Sequence, residues 1–179
     1  VAVCALMLSL ARHLDLDEEQ TRLAGIGGLM HDLGKAAMPL EVLNKPGKLT
    51  DAEFAIMKRH PVEGAKMLRA GGAEPGVVDI ALHHHEKMNG GGYPHGLKGD
   101  HIPLAARVIA VADTYDSITS SRAYRAGRSH EEAMREINRV SAKQLDPSIV
   151  ALFNYLCEAE PEWLLRFRIR REPALADHG

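Results

Sequence analysis

Residues 25–35 read GIGGLMHDLGK, and this stretch places adjacent His31 and Asp32 at the end of a glycine-rich apolar segment. Upstream, Asp17 and Gln20 have the spacing of a capping box, which predicts a helix running towards His31. Each glycine inside that helix lowers the stability of the helix by about 1 kcal/mol relative to alanine. We therefore expect the helix backbone to pack closely against a neighbour, either near a metal centre or in an ordinary helix–helix contact.

Other imidazole and carboxylate side chains occur in similarly apolar surroundings further along the chain. One His-Asp pair carries little information, but four histidines and two aspartates near predicted helix ends are what a two-metal hydrolytic site needs. No cysteine belongs to the set, so the ligands suit a catalytic iron, manganese, nickel or zinc ion rather than a structural zinc. The candidate metal ligands are His31, Asp32, His60, His84, His85 and Asp113.

The adjacent pair has the chemistry of a bridge between two cations. On a helix, His31 and Asp32 would point about 100° apart and reach two neighbouring metals. The two oxygens of an aspartate can bridge such ions, and a water between them loses its proton near neutral pH to become a nucleophile. Asp113 lies in the apolar stretch VIAVADTYDSIT, residues 108–119. Because a buried unpaired carboxylate is costly, a metal partner is favoured there.

The remaining patterns predict helices with few strand signals. Thr50 and Glu53 form a second capping box, which opens a helix through His60 that Pro61 would kink or restart. Further helices are expected at residues 1–14 and 75–86, from Pro103 to about Thr119, after the Ser129/Glu132 capping box and after Asp146-Pro147. Residues 86–102 contain five glycines and a proline and predict a loop. A low-complexity linker is one interpretation, but the position after His84-His85 favours a functional loop.

Composition excludes several functional classes. The 179 residues are 45% hydrophobic and 26% charged, which fits one compact domain. A net charge of −2 gives no long-range attraction to duplex nucleic acid. No apolar run reaches the roughly 20 residues that span a bilayer, and residues 1–10 predict a helix rather than a signal peptide. Cys4 and Cys157 predict buried thiols of a reducing cytoplasm, with a disulfide as the alternative.

These segments together resemble the HD-GYP family, a bacterial branch of the HD superfamily of metal-dependent phosphohydrolases. The matching segments are HDLGK (31–35), LNKPGKLTDAEF (43–54), RHPVEGAKML (59–68), HHEKMNGGGYPHGLKGDHIP (84–103), ARVIAVADTYDSITSSRAYR (106–125) and DPSIV (146–150). The triplet Gly92-Tyr93-Pro94 is specific to this branch. The resemblance implies a phosphohydrolase domain over residues 1–157. The basic patch RFRIRREP and the few core residues at the end of 158–179 predict a C-terminal helix and flexible tail there.

The resemblance implies a compact all-α bundle of the HD-superfamily type with a metal centre in its core. That centre would hold two, in some members three, divalent ions, with iron or manganese favoured and nickel or zinc as alternatives. It also implies hydrolysis of cyclic di-GMP to pGpG or GMP. Position by position, it makes the six candidates metal ligands, with Asp32 as the bridge. Lys35 would touch the scissile phosphate. The remaining substrate-binding residues would be Gly92, Tyr93, Arg122 and Arg125.

Two other functions remain open from the sequence. One is hydrolysis of a related cyclic dinucleotide such as cyclic GMP-AMP. The other is a non-catalytic signalling module that binds nucleotide or partner proteins, for which diguanylate cyclases are candidates through the glycine-rich loop. The family's usual receiver or sensor segment would supply a regulatory input, as in two-component systems. The sequence does not determine the oligomeric state and also allows a dimer.

The chain departs from the family pattern at three places. Asn89 stands where the family often has aspartate, and Leu145 replaces a common phenylalanine. A further metal-binding histidine of the family would fall just before Val1, and His13 is too close to His31 to replace it. We therefore expect this chain to lack that ligand together with the extreme N-terminal segment of the domain.

Overall fold

The structure is a computed structural model that describes residues 1–121, 126–160 and 162–164. Across these ranges the chain is helical and forms no strand, which confirms the predicted all-α bundle. The α-helices are α1 (Ala2–His13), α2 (Glu18–Met30), α3 (Leu40–Leu43), α4 (Asp51–Met57), α5 (His60–Ala70), α6 (Pro75–His83), α7 (Leu104–Thr119), α8 (His130–Val140) and α9 (Pro147–Ala159). Short 3-10 helices cover Leu33–Ala37 and Gly99–His101.

Local capping determines where several of these helices begin. Capping boxes with both reciprocal hydrogen bonds form at all three predicted places, Asp17/Gln20, Thr50/Glu53 and Ser129/Glu132. At the start of α9 the Asp146 carboxylate accepts from the backbone N–H of Ser148 at 2.8 Å, and Pro147 occupies the first turn. Each cap satisfies N–H groups that have no partner within the helix, so the helix starts could be read from sequence.

Several helix ends differ from the prediction. The helix that Thr50 opens ends at Met57, and His60 is the first residue of α5, with Pro61 in its first turn. Helix α6 ends at His83, and α7 begins at Leu104 with Pro103 at its N-cap. Proline accounts for the break before α5, because it lacks the N–H that would continue α4 and is tolerated in a first turn.

The placement of His31 and Asp32 on a helix is wrong. Helix α2 ends at Met30, and the pair lies in the turn that leads into the 3-10 helix Leu33–Ala37. Gly34, two residues after Asp32, gives a physical reason for this turn. A Cβ atom built there would overlap the backbone carbonyl of His60 and the amide nitrogen of Gly64. The chain turns after Met30 and brings this glycine directly against the first turn of α5.

The glycines of α2 allow two neighbouring helices to approach its backbone. A Cβ atom at Gly28 would lie 2.9 Å from Cα of Cys4 in α1, and one at Gly27 would overlap the Ile80 side chain of α6. The helix–helix alternative for these glycines is therefore confirmed. Fully buried side chains such as Met7 and Phe153 fill the main core between α1, α7, α8 and α9.

A second, smaller core joins α5 and α6, the two helices whose ends carry histidines of the candidate site. It contains Ala65, Leu68, Val77, Val78, Ala81 and Leu82. The structure forms no disulfide between Cys4 and Cys157, so that alternative is wrong. None of the described helices combines the length and the apolar character that crossing a membrane requires.

The end of the glycine-rich loop is tied to the bundle by a charged side chain. Arg107 Nη1 donates to Asp146 Oδ2 at 2.7 Å, and its Nε donates to the Ile102 carbonyl at 3.0 Å. The loop start is held as well, since the Met88 and Asn89 amides donate to backbone carbonyls of Gln144 and Lys143. The segment predicted as a loop is therefore anchored at both ends against the α8–α9 connection.

Candidate metal centre

Helix ends carry most of the candidate ligands to one place. His31 follows α2, His60 begins α5, and His84 and His85 follow α6. Asp32 lies among their rings, and Asp113 reaches the group from within α7. The structure thus brings all six predicted ligands into one neighbourhood, with histidines at helix ends as the sequence predicts.

The three most buried histidines share one backbone contact. In each, the ring Nδ1 lies within hydrogen-bond distance of the carbonyl oxygen three residues earlier. The pairs are His31–Gly28 (2.9 Å), His60–Met57 (2.7 Å) and His84–Ala81 (2.8 Å). A carbonyl can only accept, so Nδ1 carries the proton and donates it. In the neutral ring this fixes the tautomer and leaves the Nε2 lone pair directed away from the helix end, as hydrogen bonds to the other ring nitrogen do for metal-ligating histidines.

Those Nε2 atoms converge on the carboxylate of Asp32. His60 Nε2 lies 3.4 Å and His84 Nε2 3.7 Å from Oδ1, whereas His31 Nε2 lies 3.4 Å from Oδ2. His60 Nε2 and His84 Nε2 are only 3.2 Å apart. When both rings are neutral in this tautomer, neither atom carries a proton and two lone pairs face each other. A cation between them would turn this repulsion into coordination.

One ring nitrogen is buried without any hydrogen-bond partner. Among the described residues, His31 Nε2 is the only buried side-chain nitrogen or oxygen atom in that condition. Besides Asp32, its nearest carboxylate is Asp113, whose Oδ1 lies 3.7 Å away. A buried polar atom without a partner is unusual in native proteins and calls for a physical reason. A metal ion held between His31 and the two carboxylates would satisfy it.

Four of the six candidates form a cluster compact enough for a single ion. One ligand atom each from Asp32, His60, His84 and His85 can be chosen so that all lie within 4.8 Å of one another. Nitrogen and oxygen ligands lie about 2.0–2.2 Å from a first-row divalent ion. The cluster therefore fits a divalent metal ion. His31 and Asp113 lie outside this set of four: His31 approaches the other oxygen of Asp32, and Asp113 approaches His31.

The surrounding charges hold the carboxylates ionised. Burial alone would raise the pKa of Asp32, but the contact with His31 holds it well below its usual range. The pKa of Asp113 is likewise lowered by His31 against the effect of burial. Burial lowers the pKa of His31, and the carboxylates of Asp113 and Asp32 outweigh it and raise that pKa to about 10. A cation that binds here must take the place of the His31 proton.

The pKa values of the two histidines after α6 are shifted in the opposite direction from that of His31. Burial lowers the pKa of His84, and it lowers the pKa of His85 to about 2, helped by the neighbouring rings of His84 and His60. Both rings are therefore neutral at physiological pH. Neutral imidazole is the form that binds a metal ion, so these two side chains need not lose a proton first.

Lys35 places a positive charge beside the cluster. Its Nζ donates to Asp32 Oδ2 at 2.6 Å from the 3-10 helix Leu33–Ala37. Lys35 also lines a cavity of about 270 Å³ together with Lys45, His60, His85 and Tyr93. The cavity thus combines candidate metal ligands, two cations and an aromatic ring. That combination suits a phosphate ester with an attached ring system.

The Gly92-Tyr93-Pro94 triplet lies directly against His85. The Tyr93 ring stacks on the His85 imidazole, and its backbone N–H donates to the His85 carbonyl at 3.2 Å. Gly92 is required by packing, because a Cβ atom there would lie 2.5 Å from both the His85 oxygen and the Lys87 nitrogen. This describes how Gly92 positions Tyr93, while direct substrate binding by Gly92 stays a prediction.

Comparison with known proteins assigns the family. A family model described as an HD domain matches residues 2–149. A cyclic di-GMP phosphodiesterase of Pseudomonas aeruginosa is 49% identical over 154 residues, which cover 86% of this chain and 37% of that protein. The chain belongs to the HD-GYP family. It spans little more than a third of this relative's length, so the HD-GYP domain accounts for only part of such a protein.

Another HD-GYP relative has a different substrate in its name. A 3'3'-cGAMP-specific phosphodiesterase of Vibrio cholerae is 37% identical over 148 residues, which cover 82% of this chain and 34% of that protein. The crystal structure of a cyclic GMP-AMP specific phosphodiesterase from the same organism superposes with a TM-score of 0.73 at 21% identity. That superposition covers 93% of this chain and 45% of that chain, and it supports the HD fold.

Sequence reasoning missed one buried residue of this HD-GYP domain. Glu86 is only 3% exposed, and its two carboxylate oxygens accept backbone N–H bonds from His95 at 2.8 Å and Leu97 at 2.9 Å. The sequence feature that could have indicated this role is a carboxylate directly after the His84-His85 pair. Arg122 and Arg125, predicted to bind substrate phosphates, lie outside the described residues.

The departures from the family pattern fit their surroundings. Asn89 Oδ1 accepts from the Gly91 backbone N–H at 2.9 Å, a bond that aspartate would also make. Leu145 is 4% exposed and belongs to the main core, as expected for a replacement of phenylalanine. Neither difference alters the metal centre.

Proposed function

We propose that this HD-GYP domain is a metal-dependent phosphodiesterase that hydrolyses cyclic di-GMP to pGpG, to GMP or to both. The observation that carries the proposal is the convergence of three Nε2 atoms on the two oxygens of Asp32. The names of relatives such as the Pseudomonas aeruginosa phosphodiesterase support the substrate.

The ligands divide naturally between the two oxygens of Asp32. Oδ1 faces His60 and His84, and His85 completes that group. Oδ2 faces His31, which also approaches Asp113. The first group would hold one ion and the second a neighbouring ion, and Asp32 would contribute an oxygen to each. The donors are imidazole and carboxylate, which suits iron or manganese and also accommodates nickel or zinc.

Bound divalent ions would supply Lewis acidity to the phosphoryl oxygens and would lower the pKa of a coordinated water. The chain's own groups perform the remaining work. Lys35 lies 2.6 Å from Asp32 and offers a cation for the charge that develops on the scissile phosphate. Tyr93 covers His85 and forms a wall of the cavity, so it limits access of bulk water to that side. Arg122 and Arg125 are assigned to substrate phosphates on the family resemblance.

A related substrate is the second candidate. The Vibrio cholerae relative named as 3'3'-cGAMP-specific is 37% identical to this chain, so the same ligand set is compatible with cyclic GMP-AMP. Both substrates contain two phosphodiester linkages in one ring and differ in a single base. The metal centre acts on the shared linkage, and base contacts would decide between them.

The decisive experiment is turnover by the purified protein after anaerobic loading with iron or manganese. We expect cyclic di-GMP to yield pGpG or GMP on chromatography, and Asp32→Ala to lose both metal and activity. Arg122→Ala should reduce kcat/KM at least about tenfold with unchanged metal content, since a charge-assisted phosphate contact contributes about 1.5–3 kcal/mol. Faster turnover of cyclic GMP-AMP than of cyclic di-GMP would favour the second candidate. Nucleotide binding without turnover on any first-row metal would instead indicate a non-catalytic module.

A further inference from the structure

The short segment between α3 and α4 carries two lysines in different environments. Lys45 is partly buried and lines the cavity that also contains His60 and His85. Lys48, three residues later, is exposed and does not line this cavity. The two side chains have the same charge, so any difference between them reflects position. Of the two, only Lys45 lines the cavity that also contains candidate metal ligands.

The position of Lys45 is fixed by the capping box of α4. Its Nζ donates to Glu53 Oε2 at 2.6 Å, and the same oxygen accepts from the Thr50 backbone N–H at 2.7 Å. The Thr50 hydroxyl in turn accepts from the Glu53 N–H, so the carboxylate cannot turn away without losing the helix cap. An ammonium group has three donors. Glu53 takes one of them, and two are left for a ligand in the cavity.

Such a donor in the cavity suits a cyclic dinucleotide as the ligand. The ring of that ligand carries two phosphates, each with one negative charge. Lys35 lies against Asp32 and serves the phosphate that occupies the metal centre. The second phosphate lies across the ring, where a further cation adds to Arg122 and Arg125, the residues assigned to substrate phosphates on the family resemblance. Among the described residues, Lys45 is the other lysine that lines the cavity.

We propose that Lys45, held by Glu53, binds the phosphate of a cyclic dinucleotide that is not being hydrolysed. The proposal rests on the proposed function and extends it by assigning a second phosphate position to this site. It makes Lys45 a contributor to substrate binding rather than to the chemical step. Loss of its charge should therefore act on KM and leave kcat largely unchanged.

The test compares Lys45→Gln with the matched control Lys48→Gln in metal-loaded protein. Two substrates are used, cyclic di-GMP with two phosphates and bis(p-nitrophenyl) phosphate with one. We expect Lys45→Gln to raise KM for cyclic di-GMP at least tenfold with kcat within about twofold. Its activity on bis(p-nitrophenyl) phosphate should equal that of the wild type, and Lys48→Gln should match the wild type on both substrates.

A third variant tests the role of Glu53. Glu53→Gln keeps a side chain that can complete the capping box but removes the negative charge that orients Lys45. We expect it to raise KM for cyclic di-GMP by a smaller factor than Lys45→Gln, again without an effect on the single-phosphate substrate. A KM equal to that of the wild type would remove Glu53 from the proposal.

The outcomes separate this proposal from the proposed function. If Lys45→Gln behaved like Lys48→Gln on cyclic di-GMP, the second phosphate position would be wrong and the phosphodiesterase assignment would stand. Equal losses on both substrates would show that Lys45 supports the structure of the site, which also overturns the proposal. If the wild type cleaved bis(p-nitrophenyl) phosphate but neither cleaved nor bound cyclic di-GMP, both proposals would fall.

Discussion

The imidazole of His85 stacks on the phenol ring of Tyr93, with centroids 4.9 Å apart and planes inclined by 25°. The other edge of Tyr93 meets Phe54 of α4 at a centroid distance of 6.4 Å. Burial, with the nearby charges of Asp32 and Asp113, raises the pKa of Tyr93 to about 12. Its hydroxyl therefore stays protonated at physiological pH, and the neutral ring links the glycine-rich loop to both the metal centre and α4.

Removing this ring should impair catalysis through the orientation of His85. Aromatic pairs contribute about 0.5–1.5 kcal/mol beyond their buried area. We expect Tyr93→Ala to lower kcat/KM for cyclic di-GMP up to about tenfold, in proportion to that energy. Tyr93→Phe keeps the stack and should stay close to the wild type in steady-state kinetics. Equal losses in the two variants would assign the effect to the hydroxyl group instead.

Glu86 should hold the glycine-rich loop, residues 86–102, in its folded conformation. Glu86→Gln replaces one acceptor oxygen with an NH₂ group, which leaves one of the His95 and Leu97 amides without its buried partner. An unsatisfied buried group costs about 1–3 kcal/mol. We expect a lower melting temperature and faster tryptic cleavage at Lys87 or Lys98, both detectable by calorimetry and mass spectrometry.

The matched control for this variant is Glu41→Gln, because Glu41 is exposed on α3. It removes the same charge and should change neither the melting temperature nor the cleavage pattern. If Glu86→Gln and Glu41→Gln were indistinguishable in both measurements, the carboxylate would not be what holds the loop.

Sequence predicted the features that depend on nearby residues. The capping box of Thr50 and Glu53 needs only a four-residue pattern, and its predicted position is confirmed. The turn at His31 was missed, because it depends on a contact between Gly34 and the backbone of α5. Glu86 was missed for a similar reason, since its partners His95 and Leu97 belong to the folded loop. Contacts of that kind leave no periodic signal in a single sequence.

The contact at Gly34 gives a prediction that combines stability with metal binding. A methyl group at this position would overlap the His60 carbonyl, so Gly34→Ala must separate the 3-10 helix from α5. Forced overpacking costs about 1–3 kcal/mol or more. The same displacement would move Asp32 away from His60. We expect a lower urea midpoint and a lower metal content per chain.

Gly71→Ala is the control, because the nearest atom to a Cβ there is 3.5 Å away and its φ of −80° suits alanine. It should leave urea denaturation and metal analysis unchanged. A Gly34→Ala protein with wild-type stability and metal content would mean that the two segments can separate without disturbing the centre.

The last prediction concerns the metal ions themselves. Without a metal ion, the Nε2 lone pairs of neutral His60 and His84 face each other at 3.2 Å, and His31 Nε2 is buried without a hydrogen-bond partner. A bound ion removes both costs in the folded state and binds the unfolded chain less well. At a free ion concentration about 100 times Kd, it should stabilise the fold by about 2.7 kcal/mol. Manganese should therefore raise the melting temperature, and a chelator should reverse the rise.

Asp32→Ala should abolish this response to manganese. The control Asp79→Ala, which removes an exposed carboxylate on α6, should preserve it. A manganese-dependent rise of equal size in Asp32→Ala would show that the ion stabilises the protein at another place.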